Sequence, residues 1–273
     1  MTIAEATVER VAQALAHAAL PGFYVTLVVL MIAVAIGGRW WLAHSHVVEA
    51  ARDTSLRTLL ARMAIGFAII VVAAWVFAAI ADEIGEGETL GRLDTLVSSA
   101  IGQTVSPATV QAFAFITHLG DPTTLGALCF VVAMVLVARD ERALALGWVI
   151  AITGNAVLNT TLKGVFERVR PVHDQAIAHA DGYSFPSGHT SGSVVAYGML
   201  AYVLIRTTPP AFHLPALVAG AAIAFVTGCS RVFLQVHYPS DVVAGFASGL
   251  AWLGIVIASV EAARQYRKSR RAR

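Results

Sequence analysis

The sequence predicts an all-α fold, a polytopic membrane helix bundle of seven candidate spans. Three observations carry that expectation. Of 273 residues, 57% are hydrophobic and 13% are charged, against roughly 25% charged in an ordinary soluble domain. The apolar residues fall in long continuous runs, unlike the alternating segments of about 10 residues that build membrane barrels. Backbone crossing lipid must satisfy its own hydrogen bonds, which leaves the helix as the spanning element. The charges collect between the runs. A soluble globular enzyme is excluded, and the partner expected at this level is the bilayer rather than nucleic acid.

Residues 1–20 read as an amphipathic interfacial helix or loose tail, with Ile3, Val8, Val11 and Leu15 opposite Glu5, Glu9 and Arg10. The acidic start is not that of a secretory signal. Pro21-Gly22 is expected to break the chain. Residues 23–42 form the first span, with Trp40 and Trp41 at the level of the aromatic belt. Residues 62–81 form the second. The stretch 82–122 is mixed: an acidic loop at 82–88, then two short apolar patches, neither convincing as a span. Asp121-Pro122 reads as an N-cap followed by proline at the first helical position. It opens a third span at 123–138. Spans four to seven are 143–162, 190–205, 214–228 and 242–260. Cys129 and Cys229 lie inside apolar runs and are expected to be buried thiols.

Lys and Arg in short loops set orientation. Arg39, Arg52, Arg57 and Arg62, then Arg139 and Arg142, then Arg206, then the basic tail from Arg264 all fall on one side of a seven-span chain. That side is expected to be the cytoplasm. The N-terminus and the loop at 82–88 then lie outside. If residues 23–42 only rest in the interface, six spans remain and the N-terminus is inside. The domain reading is an N-terminal segment at 1–60, a core at 61–260 and a tail at 261–273.

Three polar clusters break the apolar pattern on the outer side: Lys163 with Arg170-Pro171, Pro186-Ser187-Gly188-His189, and Ser230-Arg231 with His237 and Asp241. Ionisable groups near a bilayer are costly and mark function. Lys163, Glu167 and Arg170 share one face if the fourth span continues outward to a stop at Pro171. They then form a cationic arm with Glu167 as a pairing partner; alone, they equally fit snorkelling charges. Ser187-Gly188-His189 stands before the fifth span, where unpaired N–H groups and a partial positive charge cradle a phosphate. A plain Ser187 cap is the bland alternative. Asp241, four residues after His237, can accept from one imidazole nitrogen and free the other to attack. Arg231 adds a fork of donors matched to phosphate oxygens. The conjunction of all three clusters on one membrane face points to an anion-handling site.

These strings resemble the three signature motifs of the type 2 phosphatidic acid phosphatase superfamily, which includes membrane lipid phosphatases, over about residues 61–260. The resemblance implies a six-helix phosphatase core, which makes the N-terminal span at 23–42 an extra transmembrane helix. His237 would be the nucleophile that forms a phosphohistidine, Asp241 its orienter and His189 the general acid. Lys163, Arg170, Ser187, the Gly188 amide and Arg231 would bind the phosphoryl group, with Arg168 as a further phosphate contact. No metal or other cofactor is implied, since fixed cations neutralise the charge. The implied reaction is hydrolysis of a lipid phosphate or diphosphate (a prenyl diphosphate, phosphatidylglycerol phosphate, phosphatidate or lipid A) at the outer face of a bacterial inner membrane. The rivals are transfer of the phosphoryl group to a second lipid, vanadate-dependent halide oxidation, and a non-catalytic lipid transporter of the same fold.

Asn155 and Asn159, at i, i+4, read as interhelical hydrogen-bonders. His173, Asp174, His179 and Asp181 read as a solvated outer loop, and Tyr183 and Phe185 as seats for that loop or lining of a lipid entrance.

Overall fold

The computed structural model describes residues 3–50, 56–84, 88–171 and 181–271. Among the described residues nine α-helices and two 3-10 turns account for the regular structure, with no strand. Five helices are long and apolar enough to cross a membrane, and a bent pair makes six.

The first helix, α1, runs unbroken from Ile3–Ala50 with Pro21 inside it. The expected break at Pro21-Gly22 and the loose tail before it are therefore corrected. Proline removes one helical hydrogen bond and usually kinks or ends a helix, but neighbouring helices sustain such prolines in spanning helices. Here the support lies on both sides of Pro21. Ala12 and Ala16 before it and Phe23 after it are all buried in one cluster with Ile101, Phe113 and Phe233. Phe23 meets the Phe113 ring edge-on at 5.3 Å and the Phe233 ring at 5.8 Å.

Helix α2 (Leu56–Asp82) packs along the last helix. The mixed stretch resolves into α3 (Thr89–Thr104) and α4 (Pro107–Ile116). Helix α3 is no span but an amphipathic piece whose buried face is Gly91, Asp94, Val97, Ser98 and Ile101, a 3.6-residue period. Ser106 caps α4 by accepting from Thr109 N–H at 3.3 Å. A 3-10 turn at Thr117–Gly120 joins α4 to α5 (Pro122–Ala138), and the pair is bent by 41°. Helix α5 matches the expected third span, and only the pair taken together is long and apolar enough to cross a membrane.

Helix α6 (Arg142–Phe166) ends when Glu167 turns left-handed at φ 46°. The helix stops before Pro171, so Lys163 and Arg170 do not share a helical face. Helix α7 (Gly188–Thr207) is the centre of the bundle, with eleven buried residues. Around it lie α8 (His213–Phe233) and α9 (Pro239–Arg271), which carries the last span and much of the basic tail as one helix. Gly245 and Gly249 let α9 approach closely: a Cβ at either would sit 2.8 Å from the Ser187 carbonyl or 3.0 Å from the Ser191 carbonyl. Small residues four apart are the usual means for such approach in lipid.

The far end of the bundle packs on Trp148, Leu144, Val195 and Met199. There Arg206 pairs with Glu261 at 3.6 Å and Arg264 with Glu141 at 3.9 Å. The near end collects the last turn of α6, the start of α7, the end of α8 and the start of α9. All three motifs meet at that end.

Candidate active site

A cavity of about 910 Å³ opens at this end, lined among others by Lys163, Arg170, Gly188, His189, Arg231 and His237. Six of the nine expected site residues thus share one hollow. Asp241 stands behind it, wholly buried. His237 Nδ1 donates to Asp241 Oδ2 at 3.2 Å. Arg170 Nη1 lies 3.1 Å from His237 Nε2. A guanidinium only donates, so Nε2 carries the lone pair and Nδ1 the proton. That is the tautomer a nucleophilic Nε2 requires. Burial, against the pull of Asp241, pushes His237 down to about 3, so the ring is neutral at neutral pH.

Arg170 is held by carbonyls. It donates to Val236 at 2.8 Å, Gly182 at 2.9 Å, Tyr183 at 3.1 Å and Asp181 at 3.2 Å. Lys163 Nζ donates to the Tyr183 carbonyl. The segment after α6 therefore folds back over the two cations. Phe185 anchors that return, fully buried between Phe77 and Phe166. Among the described residues Glu167 forms no ion pair with a motif cation; its carboxylate lies by Tyr183 and pushes that hydroxyl's pKa up. His173, Asp174 and His179 fall outside the described residues.

Arg231 is buried, and its Nη1 donates to Thr117 Oγ1 at 2.6 Å. Its Nε is buried with no partner among the described residues. A buried donor left open costs about 1–3 kcal/mol, which an anion would recover. The α7 N-terminus reaches this hollow with Gly188 and His189. Asn159 Oδ1 would lie 2.8 Å from a Cβ on Gly188, so a larger residue there would have to displace the Asn159 side chain. Asn159 donates to the Pro186 carbonyl and to Ser191, both at 3.4 Å, and Asn155 to Ser191 at 3.4 Å, the interhelical role expected of them.

Two expected phosphate contacts sit elsewhere. Ser187 is buried, its Oγ accepting from the Thr190 hydroxyl at 2.9 Å and its N–H donating to the Asp241 carbonyl at 3.0 Å. Arg168 lies behind Asp241 rather than in the cavity. It donates to Asp241 Oδ1 at 2.7 Å, Asp94 Oδ2 at 2.8 Å and Ser240 Oγ at 2.8 Å. Its guanidinium also rests 4.2 Å over the Tyr238 ring. Two carboxylates and a ring leave it little to offer a phosphate. Burial pushes Asp94 up from its ordinary range, while Ser240 and Arg168 pull it back.

Sequence reasoning missed Asp94, Thr117 and Asp121. Asp121 makes no side-chain cap bond. Its Oδ1 accepts from His189 Nε2 at 2.8 Å and its Oδ2 from His118 Nδ1 at 2.7 Å. No short-range spacing signals that role, since Asp121 and His189 stand 68 residues apart.

The profile of the PAP2 superfamily matches residues 142–265. Phosphatidylglycerophosphatase B of Bacillus subtilis (strain 168) is 30% identical over 64% of this chain and 87% of its own. The chain belongs to the PAP2 superfamily. A lipid A 1-phosphatase of Rhizobium etli is 28% identical over 61% of this chain and 78% of its own. An undecaprenyl-diphosphatase of Sulfolobus acidocaldarius is 27% identical over 50% of this chain and 65% of its own. The crystal structure of a transmembrane PAP2 type phosphatidylglycerolphosphate phosphatase from Bacillus subtilis superposes with a TM-score of 0.65 at 29% identity, covering 70% of this chain and 96% of that one. This PAP2 protein is thus a multi-pass membrane enzyme of a lipid phosphatase family, with an all-helical fold.

Proposed function

We propose that this protein hydrolyses a lipid phosphate or diphosphate through a phosphohistidine on His237. One observation carries the reading: His237 Nε2 lines the cavity as a lone pair, Nδ1 is held by buried Asp241, and Lys163, Arg170 and Arg231 line the same hollow. A phosphoryl group entering there replaces Arg170 as the partner of Nε2. Its equatorial oxygens meet the cations, the open Arg231 Nε and the Gly188 amide. Preorganised donors of this kind lower the barrier without reorganisation. Nε2 attacks phosphorus, and His189 protonates the departing oxygen. Water then attacks the phosphohistidine and gives its proton to His189.

Arg168 acts through Asp241 rather than on the phosphate, by holding the carboxylate that holds the nucleophile. Ser187 shapes the cradle from beneath. The cavity continues between α5 and α6 along Leu125, Gly126, Ile152 and Ala156, an apolar side suited to a lipid chain. The names of the relatives support assaying phosphatidylglycerol phosphate, lipid A and undecaprenyl diphosphate first. The opposite end of the bundle carries Arg139, Arg142, Arg206 and the basic end of α9, so the site faces the exterior by the distribution of basic residues.

The test is phosphate release by the detergent-solubilised protein from a panel of lipid phosphates and diphosphates, with EDTA present. The expected result is release that depends on His237 and survives EDTA, with the panel ranking giving the substrate class. Label passing to another lipid with little free phosphate would contradict hydrolysis.

A further inference from the structure

Asp121 stands where a helix cap belongs, at the start of α5 before Pro122, yet it gives up the cap. Both oxygens are taken by imidazoles from two different elements. His189 belongs to the first turn of α7, and His118 to the 3-10 turn before α5. The His189 and Asp121 side chains are 20% and 28% exposed, and His118 is 68% exposed. All three line the same cavity, with His118 the most exposed of them. A carboxylate only accepts, so the contact at 2.8 Å places the His189 proton on Nε2 and leaves Nδ1 as the second ring nitrogen.

The surroundings of His189 are cationic. Arg231 of α8, Arg170 of the returning segment and Lys163 of α6 line its cavity, together with the neutral His237. Burial first, and then these neighbours, disfavour a second positive charge on the ring, while Asp121 pulls the other way. A general acid in this place needs an anion against it, and Asp121 is the anion in contact.

We propose that Asp121 is the positioning residue of His189, fixing Nε2–H toward α5 and Nδ1 toward the phosphate, with His118 as the outer anchor that fixes the carboxylate. This rests on the reading of His189 as the acid of the hydrolysis. In the first step His189 starts doubly protonated, with Nε2–H on Asp121 and a second proton on Nδ1 facing the bound phosphate anion. His237 Nε2 bonds to phosphorus, the bond to the leaving oxygen breaks, and that oxygen takes the proton from His189 Nδ1. His189 stays bonded to Asp121 through Nε2–H. In the second step a water oxygen bonds to phosphorus, the phosphorus–nitrogen bond breaks, and the water proton returns to Nδ1. Asp121 neither gains nor loses a proton.

The experiment compares two substrates on the full-length protein in detergent: an alkyl phosphate, whose alkoxide leaves poorly, and an aryl phosphate with an acidic phenol, which leaves without help. General acid catalysis contributes about 10²–10⁴-fold. His189→Ala is expected to reduce kcat for the alkyl substrate by about that range and to affect the aryl substrate far less. Asp121→Asn is expected to show the same selectivity with KM nearly unchanged. Its alkyl pH profile should lose activity at lower pH on the alkaline side, because a ring without its anion gives up the proton sooner. His118→Ala, a change at an exposed side chain, is expected to show the same selectivity to a smaller degree, and it carries the test if Asp121→Asn does not fold. Selective loss in His189→Ala but equal loss on both substrates in the Asp121 and His118 variants overturns the positioning role alone. Equal loss on both substrates in His189→Ala overturns the acid reading beneath it.

Discussion

Two histidine–aspartate pairs serve one cavity, and they differ in burial, backing and chain separation. His237 and Asp241 are 2% and 0% exposed, lie four residues apart and are braced by Arg168, itself paired with Asp94. His189 and Asp121 are 20% and 28% exposed, lie 68 residues apart and are braced by an exposed histidine. The contrast matches two chemical tasks. A nucleophile must be neutral and fixed, and burial secures both. An acid must charge and discharge in each turnover, which requires contact with water and a carboxylate to balance neighbouring arginines.

The largest expected effect that would sharpen this contrast comes from Asp241→Asn. It frees His237 to adopt the wrong tautomer, and loss of an orienting carboxylate elsewhere has reduced kcat by about 10⁴-fold. Both alkyl and aryl phosphates should suffer alike, unlike the Asp121 variant. Selectivity between the two substrates in Asp241→Asn would erase the distinction between the pairs.

Arg168→Gln comes next. Removing one partner of a buried ion pair costs about 3–5 kcal/mol of stability, so the melting temperature should fall. The kcat should fall with KM for a soluble phosphate ester nearly unchanged, because Arg168 touches Asp241 and not the cavity. A rise in KM with kcat retained would return Arg168 to the phosphate.

A third, smaller effect is on stability against pH. His237 is held near 3 in the folded state against about 6.5 unfolded. Between those values the unfolded chain binds a proton that the folded chain refuses. Stability therefore rises with pH across that window and falls as pH drops through it. In His237→Asn the decline between pH 6.5 and 4 should be shallower, as followed by thermal melts in detergent; an unchanged slope would mean that the ring is accessible to protons.

These pairs also mark how far the sequence could be read. His237 and Asp241 at i, i+4 are legible because helix geometry turns that spacing into contact. Lys163, Arg170, Gly188 and Arg231 are legible as cations and an amide gathered at helix ends. Asp121 was legible only as a cap, because its local context, Asp-Pro before an apolar run, fits a cap fully. Its actual partner lies on α7, and no local rule reaches across 68 residues. Asp94 was hidden likewise, in a stretch too polar for a span, 74 residues from Arg168. The Pro21 break failed because local propensity was read without the tertiary surface that holds Ala12, Ala16 and Phe23 together. The expected run of α6 to Pro171 failed because Glu167 turns left-handed, a conformation that non-glycine residues seldom adopt.

The central claim is the phosphohistidine on His237, and rapid quench with a phosphorus-labelled lipid phosphate tests it most directly. The account predicts label on the protein within the first turnover, stable to alkali and lost in acid, mapped to His237 and absent in His237→Ala. Free phosphate appearing in the first turnover with no labelled protein, or label on any other residue, would contradict it.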